Sequence, residues 1–478
     1  MKKTIAAILP FVILLLEILF GVLSGLGDPQ AVLTLFMLAW MVLWWVFEVL
    51  PLGVTALIPM VYLPMMGINS IRSVAPMYST SIIYLFLGGF IIARALEKTA
   101  LNERIALYIL KITGKSEKGI VLGFIIATAF LSMWISNTAT TVMMVPIALS
   151  VIAFLEKNLP DQSARSLKSM AIVLFLSIAY AANIGGITTP VGTPPNVVFL
   201  GFLDELYSIT VDFWKWMLVS VPVALALLVT MIVFLRFIFP FSLPIDEGFQ
   251  EFIRGKLSKL GTVSKEQILT LIIFSVVCFL WVFKEVIHGL VGSRFINDTS
   301  VAIMGGIFLF LIPYSLKENK PVLDIEDIKH LPWNIVLLFG GGMALAGALK
   351  DAGLIKATTD YFEALNIGSE YWLVFALALV TLFLTEIMSN VALCMVALPV
   401  IMQLGVAQGI PALLIGFPAA VCSSFAFSMP ISTPPNAIVF GTNYIKVKDM
   451  LKVGILLNFI GVSIVMSVGW FLAKKIFT

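Results

Sequence analysis

Ser136-Asn137-Thr138 interrupts an apolar stretch, residues 119–155, that is longer than one membrane crossing needs. The break returns as Ser389-Asn390-Val391 inside a second long apolar stretch, residues 370–407. Each has a companion further on. Gly192-Thr193-Pro194-Pro195-Asn196 breaks residues 167–203, and Ser432-Thr433-Pro434-Pro435-Asn436 breaks residues 411–443. Backbone that leaves the helix at membrane depth is tolerated only where protein buries it or where it lines a cavity. Paired breaks in matching positions of two halves point to a transporter's binding site. The expected core is therefore two re-entrant hairpins with polar tips at mid-depth, each followed by a broken spanning helix.

The rest of the chain frames these breaks. Of 478 residues, 60% are hydrophobic and 12% charged, which excludes an ordinary soluble protein. Further runs near 5–23, 30–49, 51–66, 81–97, 213–240, 266–288, 299–315, 333–350 and 449–473 have spanning length. The first follows Lys2-Lys3 as a signal peptide would, but no small-x-small cleavage pattern ends it, so it is kept as a helix. The fold class is all-α: a polytopic membrane protein of about 11 transmembrane helices plus two re-entrant hairpins in an inverted repeat. A net charge of +3 points to no nucleic-acid partner, and the partner that composition demands is the lipid bilayer. Cys278, Cys394 and Cys422 lie in apolar segments without metal-ligand spacing, and His288 and His330 are far apart, so no Cys or His metal site is expected.

Basic residues cluster at 94–118, 157–168, 254–265, 317–329 and 446–452, while the opposite loops carry Asp204, Glu205, Asp360 and Glu363. The positive-inside rule then puts the N-terminus in the cytoplasm and the C-terminus outside. Leu85-Phe86-Leu87-Gly88-Gly89 aligns with Leu338-Phe339-Gly340-Gly341-Gly342, an offset of 253 residues. That offset also carries Ser132 onto Thr385 and Ser136-Asn137 onto Ser389-Asn390. An offset of 240 matches Thr193-Pro194-Pro195-Asn196 with Thr433-Pro434-Pro435-Asn436. Each half, 30–240 and 266–473, carries five spans and one hairpin. Five is odd, so the second copy inserts upside down and the tips reach the midplane from opposite faces.

Ser, Thr and Asn offer neutral oxygens of the kind hard cations prefer, and the half-helix N-termini after each break suit carboxylates. No Lys or Arg lies within ten residues of either tip or either Pro-Pro break. A dianion at mid-membrane is strongly disfavoured without compensating charge, so co-bound cations are expected to supply it. Glu386 adjoins the second tip but has no acidic mate, because its repeat partner is Met133; a structural carboxylate and a proton carrier both remain open. Glu17 and Glu48 are read as packing or assembly residues. The glycines at 88–89 and 340–342 are read as close-packing positions, and residues 100–115 and 351–366 as interfacial amphipathic arms.

On these motifs the chain resembles the divalent anion/sodium symporter family, which includes sodium-coupled dicarboxylate and citrate transporters and sodium-independent exchangers. The resemblance covers nearly the whole length. It implies a homodimer in which residues 1–115 and 241–366 form a scaffold, while 116–240 and 367–478 carry the site across the bilayer in an elevator motion. It implies two sodium sites, one from Ser132, Ser136, Asn137 and backbone at Gly192, the other from Thr385, backbone at Met388, Asn390 and backbone at Ser432. Substrate carboxylates would meet Ser136, Asn137, Thr138, Thr193, Ser389, Asn390, Val391 and Thr433. Val391 replaces the second hydroxyl of more symmetric members, which leaves dicarboxylate against citrate open. The function so implied is sodium-coupled transport of four-carbon dicarboxylates across a bacterial inner membrane, with dicarboxylate exchange or citrate transport as alternatives. A proton-coupled antiporter would need a mid-membrane acid, for which Glu386 is the candidate. An enzyme is not expected, since paired acids, a Ser–His pairing and metal ligands are all missing from the spans.

Overall fold

Apolar periodicity and proline placement account for most elements of the computed structural model, which describes residues 2–23, 27–160, 163–245, 247–292, 296–315, 319–354, 356–357 and 369–477. The first half runs α1 (Lys2–Phe20), α2 (Pro29–Val46), α3 (Leu52–Thr55), α4 (Ile58–Met65), α5 (Ile71–Val74), α6 (Ser81–Lys98), α7 (Leu101–Thr113), α8 (Glu117–Ser132), α9 (Asn137–Asn158), α10 (Ala164–Gly186), α11 (Pro194–Tyr207) and α12 (Phe213–Ile238). The second runs α13 (Glu247–Lys259), α14 (Lys265–Val291), α15 (Asp298–Leu311), a two-stranded ribbon of β1 (Pro313–Ser315) and β2 (Lys320–Pro321), α16 (Ile325–Lys329) and α17 (Trp333–Asp351). It closes with α18 (Glu370–Thr385), α19 (Asn390–Ala407), α20 (Ala412–Cys422), α21 (Pro434–Phe440), α22 (Val447–Ile464), a π-helical stretch Val465–Trp470 and α23 (Phe471–Phe477). Among the described residues, 10 helices are long and apolar enough to cross a membrane.

The two hairpins repeat residue for residue. Helix α8 ends at Ser132 and α9 begins at Asn137; α18 ends at Thr385 and α19 begins at Asn390. Both breaks fall where Ser136 and Ser389 leave the helical region, with ψ of 145° and 128°. Helix α10 lies at the centre of the molecule, 89% of its spanning window being buried. It packs on α8, α9, α12 and α21. Helices α6, α14 and α15 pack on one another, and α17 packs on α3, α4 and α6. Large apolar side chains such as Leu218, Leu225, Val229, Val233 and Phe237 of α12 are exposed along one side, the face a spanning helix turns to lipid.

Three expectations need revision. The run 51–66 is not one helix but α3 and α4: Pro51 precedes α3, and Pro59, which has no N–H to donate back across the junction, sits in the first turn of α4. The first break spans residues 187–193 and the second 423–433, so both open earlier than their Pro-Pro motifs. The basic cluster at 254–265 begins inside a helix, α13, that packs against the amphipathic α7 with Phe249 and Ile253 fully buried. The second interfacial arm and the acidic pair Asp360 and Glu363 lie largely outside the described residues.

Candidate functional site

Each hairpin tip is tied to its broken helix by the same polar pair. In the first half the Ser132 hydroxyl lies 2.7 Å from Asn137 Oδ1 and 2.7 Å from the Ala182 carbonyl. In the second, the Thr385 hydroxyl lies 2.6 Å from Asn390 Oδ1 and 2.6 Å from the Ser423 carbonyl. Ser132 and Thr385 are fully buried, while Ser136, Asn137, Thr138, Ser389, Asn390 and Val391 are partly exposed at the tips. Ser136 caps α9 by accepting the Ala139 N–H at 3.3 Å. Small residues allow the approach: a Cβ on Gly185 would lie 2.3 Å from the Ala129 carbonyl oxygen, and one on Gly186 only 2.4 Å from Asn137 Oδ1.

The unwound carbonyls are gathered by one asparagine per half. Asn196 Nδ2 donates to the carbonyls of Gly186 (3.2 Å), Ile187 (3.4 Å) and Thr189 (2.8 Å). Asn436 Nδ2 donates to Ala426 (2.6 Å) and Met429 (2.9 Å), two positions that match Gly186 and Thr189 at the 240-residue offset. Trp216 Nε1 and the Ser220 hydroxyl donate to the Ile187 and Thr188 carbonyls at 3.0 and 2.8 Å. Breaks are thus held by side-chain donors where helix bonds have been given up, as a buried backbone requires. Asn196 Oδ1 and Asn436 Oδ1 are both buried with no donor facing them.

The halves meet through Asn183, 1% exposed in α10. Its Oδ1 accepts from Asn137 Nδ2 at 3.4 Å, and its Nδ2 donates to Thr433 Oγ1 at 3.5 Å. One polar chain therefore runs from the first tip to the second Pro-Pro motif. Thr433 also accepts the Asn436 N–H at 3.4 Å, capping α21. Gly192 sits against Gly186, where a Cβ would come within 2.4 Å of the Gly186 carbonyl oxygen. Thr193 begins α11 without a side-chain cap, and Met388 lies half-buried in the second tip.

Glu386 is where the halves part company. Its Oε1 accepts from Ser428 N–H (2.8 Å) and Asn458 Nδ2 (2.7 Å), and its Oε2 from Met429 N–H (3.1 Å) and the Ser432 hydroxyl (2.7 Å). Both oxygens are engaged, so the side chain fastens the unwound segment to the second tip. At the matching place in the first half, the Met133 carbonyl accepts from the Thr189 hydroxyl at 2.5 Å. Asn183, Asn196, Asn436 and Asn458 are site residues that sequence reasoning left without a role. Only the last member of each Thr-Pro-Pro-Asn motif carried a signal for two of them.

Among the described residues no group of three His, Cys, Asp or Glu could hold a metal ion. The tips and breaks offer hydroxyl, amide and carbonyl oxygens, a donor set that suits a hard cation. The chain matches the family model described as the sodium:sulfate symporter transmembrane region over residues 1–476. It is 37% identical over 458 residues to the sodium-dependent dicarboxylate transporter SdcS of Staphylococcus saprophyticus, covering 95% of this chain and 88% of that one. It is 36% identical over 436 residues to the SdcS of Staphylococcus aureus strain USA300, covering 90% and 84%. The fold is similar to that of the Alcanivorax borkumensis YdaH transporter, with a TM-score of 0.56 at 12% identity, over 93% of this chain and 98% of that one. The broken helices, the hairpin tips and these matches agree: the chain belongs to the sodium:sulfate symporter family, the divalent anion/sodium symporters, and is a membrane transporter, not an enzyme.

Proposed function

We propose that this protein carries four-carbon dicarboxylates such as succinate, malate or fumarate across a bacterial inner membrane, coupled to sodium. The observation that carries the reading is the duplicated set Ser132–Asn137–Ala182 carbonyl and Thr385–Asn390–Ser423 carbonyl. Each holds an amide oxygen and a backbone carbonyl within hydrogen-bond distance of one buried hydroxyl, and each lies beside a half-helix N-terminus where a carboxylate is favoured. Sodium would bind twice: at Ser132, Ser136, Asn137 and Gly192 backbone, and at Thr385, Asn390 and the backbones of Met388 and Ser432. The substrate would lie between the tips, against Ser136, Asn137, Thr138, Thr193, Ser389, Asn390, Val391 and Thr433. Relatives whose names state sodium-dependent dicarboxylate transport support this substrate class.

Transport would proceed by an elevator motion within a homodimer. Residues 116–240 and 367–478 would move against a frame of 1–115 and 241–366, with the N-terminus cytoplasmic and the C-terminus outside. The four donors on Glu386 favour a structural carboxylate over a proton carrier. The test is labelled succinate uptake into proteoliposomes with empty or succinate-loaded lumens, with and without a sodium gradient. Uptake into empty vesicles that needs external sodium is expected. Uptake confined to loaded vesicles and indifferent to sodium would make the protein an exchanger, and citrate uptake in place of succinate would move the substrate assignment.

A further inference from the structure

The tip of the first hairpin also grips α14, through contacts that none of the proposed ion or substrate ligands makes. Trp134 lies parallel to Phe213 (ring centroids 6.2 Å apart, 9° between planes) and to Trp281 (6.3 Å, 3°), and edge-on to Phe274 (5.2 Å, 88°). Phe213 and Trp281 stack on each other at 4.3 Å and 12°. Behind this slot the Lys284 ammonium, its side chain 7% exposed, lies 2.7 Å from Asp212 Oδ1 and 2.9 Å from Asp298 Oδ1. Asp298 ties the two features together: its Oδ2 accepts the Phe213 N–H at 3.0 Å and its carbonyl accepts Trp281 Nε1 at 3.0 Å.

These contacts cross between two packed sets of helices. Helix α12, which follows Asp212, packs on α10 and α22; α14 and α15 pack on each other and on α6. A buried lysine stripped of its partners would be strongly disfavoured, which ordinarily argues against pulling such a pair apart. Here separation leaves no charge alone. Lys284 keeps Asp298 on its own side, and Asp212 keeps Lys215, 3.5 Å away on the other. Burial pushes the Asp212 carboxyl up, but Lys284 and Lys215 outweigh it and hold it below its ordinary range.

We propose that Trp134, Phe213, Trp281 and the Asp212–Lys284 pair form a clasp that fastens the moving part to the frame in this state and must open in every transport cycle. The proposal rests on the two-body reading of the proposed function. Its test places cysteines at Phe213→Cys and Trp281→Cys in the full chain, with Cys278→Ala to remove the nearby native thiol. Copper-phenanthroline oxidation is expected to link the pair. Sodium-driven succinate uptake by the linked protein should fall at least tenfold and return on reduction. Linked protein that transports as fast as reduced protein overturns the clasp. A second measurement needs no substrate: adding Asp212→Asn should slow disulfide formation several-fold, because the clasp then spends more time open. An unchanged rate overturns the role of the ion pair. If neither the parent nor the reduced protein takes up succinate, the substrate assignment fails, and the disulfide rates still decide the clasp.

Discussion

Asn137 and Asn390 are the residues on which both proposed ion sites and the substrate site converge. Removing either amide takes a proposed cation ligand and leaves Ser132 or Thr385 with one partner fewer. Asn137→Ala or Asn390→Ala is expected to lower sodium-driven succinate uptake by about tenfold or more, the scale of one lost buried polar contact. Uptake at the parent rate by either well-expressed variant would remove that residue from the site. Glu386→Gln is expected to act differently. Its new NH2 group would face donors from Ser428, Met429, Ser432 or Asn458, so the unfolding midpoint should drop by the equivalent of about 1–3 kcal/mol. Folded Glu386→Gln protein that has lost all transport would favour the proton-carrier role instead. The paired residues were legible because the repeat prints them twice at a constant offset. The partners of Glu386 and Asn183 were not: they lie 42 to 72 residues from Glu386, and 46 and 250 from Asn183, distances at which no local pattern survives.

At the scale of elements, the hairpin tips could be read to the residue, since Ser136 and Ser389 each stand immediately before the helix start at Asn137 and Asn390. The onset of the second break could not. Residues 423–431 carry only the scattered hydroxyls of Ser423, Ser424 and Ser428 before Pro430, and they unwind because Asn436, Tyr180 and Glu386 take up their backbone groups. Close packing between helices gives a sharper test. A Cβ on Gly88 would lie 2.5 Å from the Ala302 backbone where α6 crosses α15, whereas one on Gly347 meets nothing nearer than Met77 Cε at 3.7 Å. Gly88→Ala should cost about 1–3 kcal/mol in thermal or denaturant unfolding. Gly347→Ala should be neutral or slightly stabilising, since alanine is the better helix former. Where α16 meets α6, burial pushes the Asp327 carboxyl up, but Lys98 at 2.5 Å and Arg94 at 3.1 Å hold it below the ordinary aspartate range. A depressed carboxylate adds stability that is complete above its unfolded value and is lost as pH falls through its folded one. Unfolding scans stepped below the ordinary aspartate range should therefore show a loss that Asp327→Asn reduces.

For the molecule as a whole, spanning count, pseudo-symmetry and transporter class all followed from hydropathy and the repeated breaks. Which helices touch across the two halves depends on packing that only three dimensions supply. The same packing bears on how the protein is made. Tyr180 donates to the Phe427 carbonyl at 2.7 Å and Asn183 to Thr433, partners 247 and 250 residues later in the chain. At about 5–20 residues per second, a ribosome reaches them roughly 12–50 seconds after α10 has been synthesised. During that interval the Tyr180 hydroxyl and the Asn183 amide N–H group lack these native acceptors, in a medium where water cannot stand in. Nascent chains halted between the halves should accordingly be open to membrane proteases and insertion chaperones, and chains released after residue 433 should escape them.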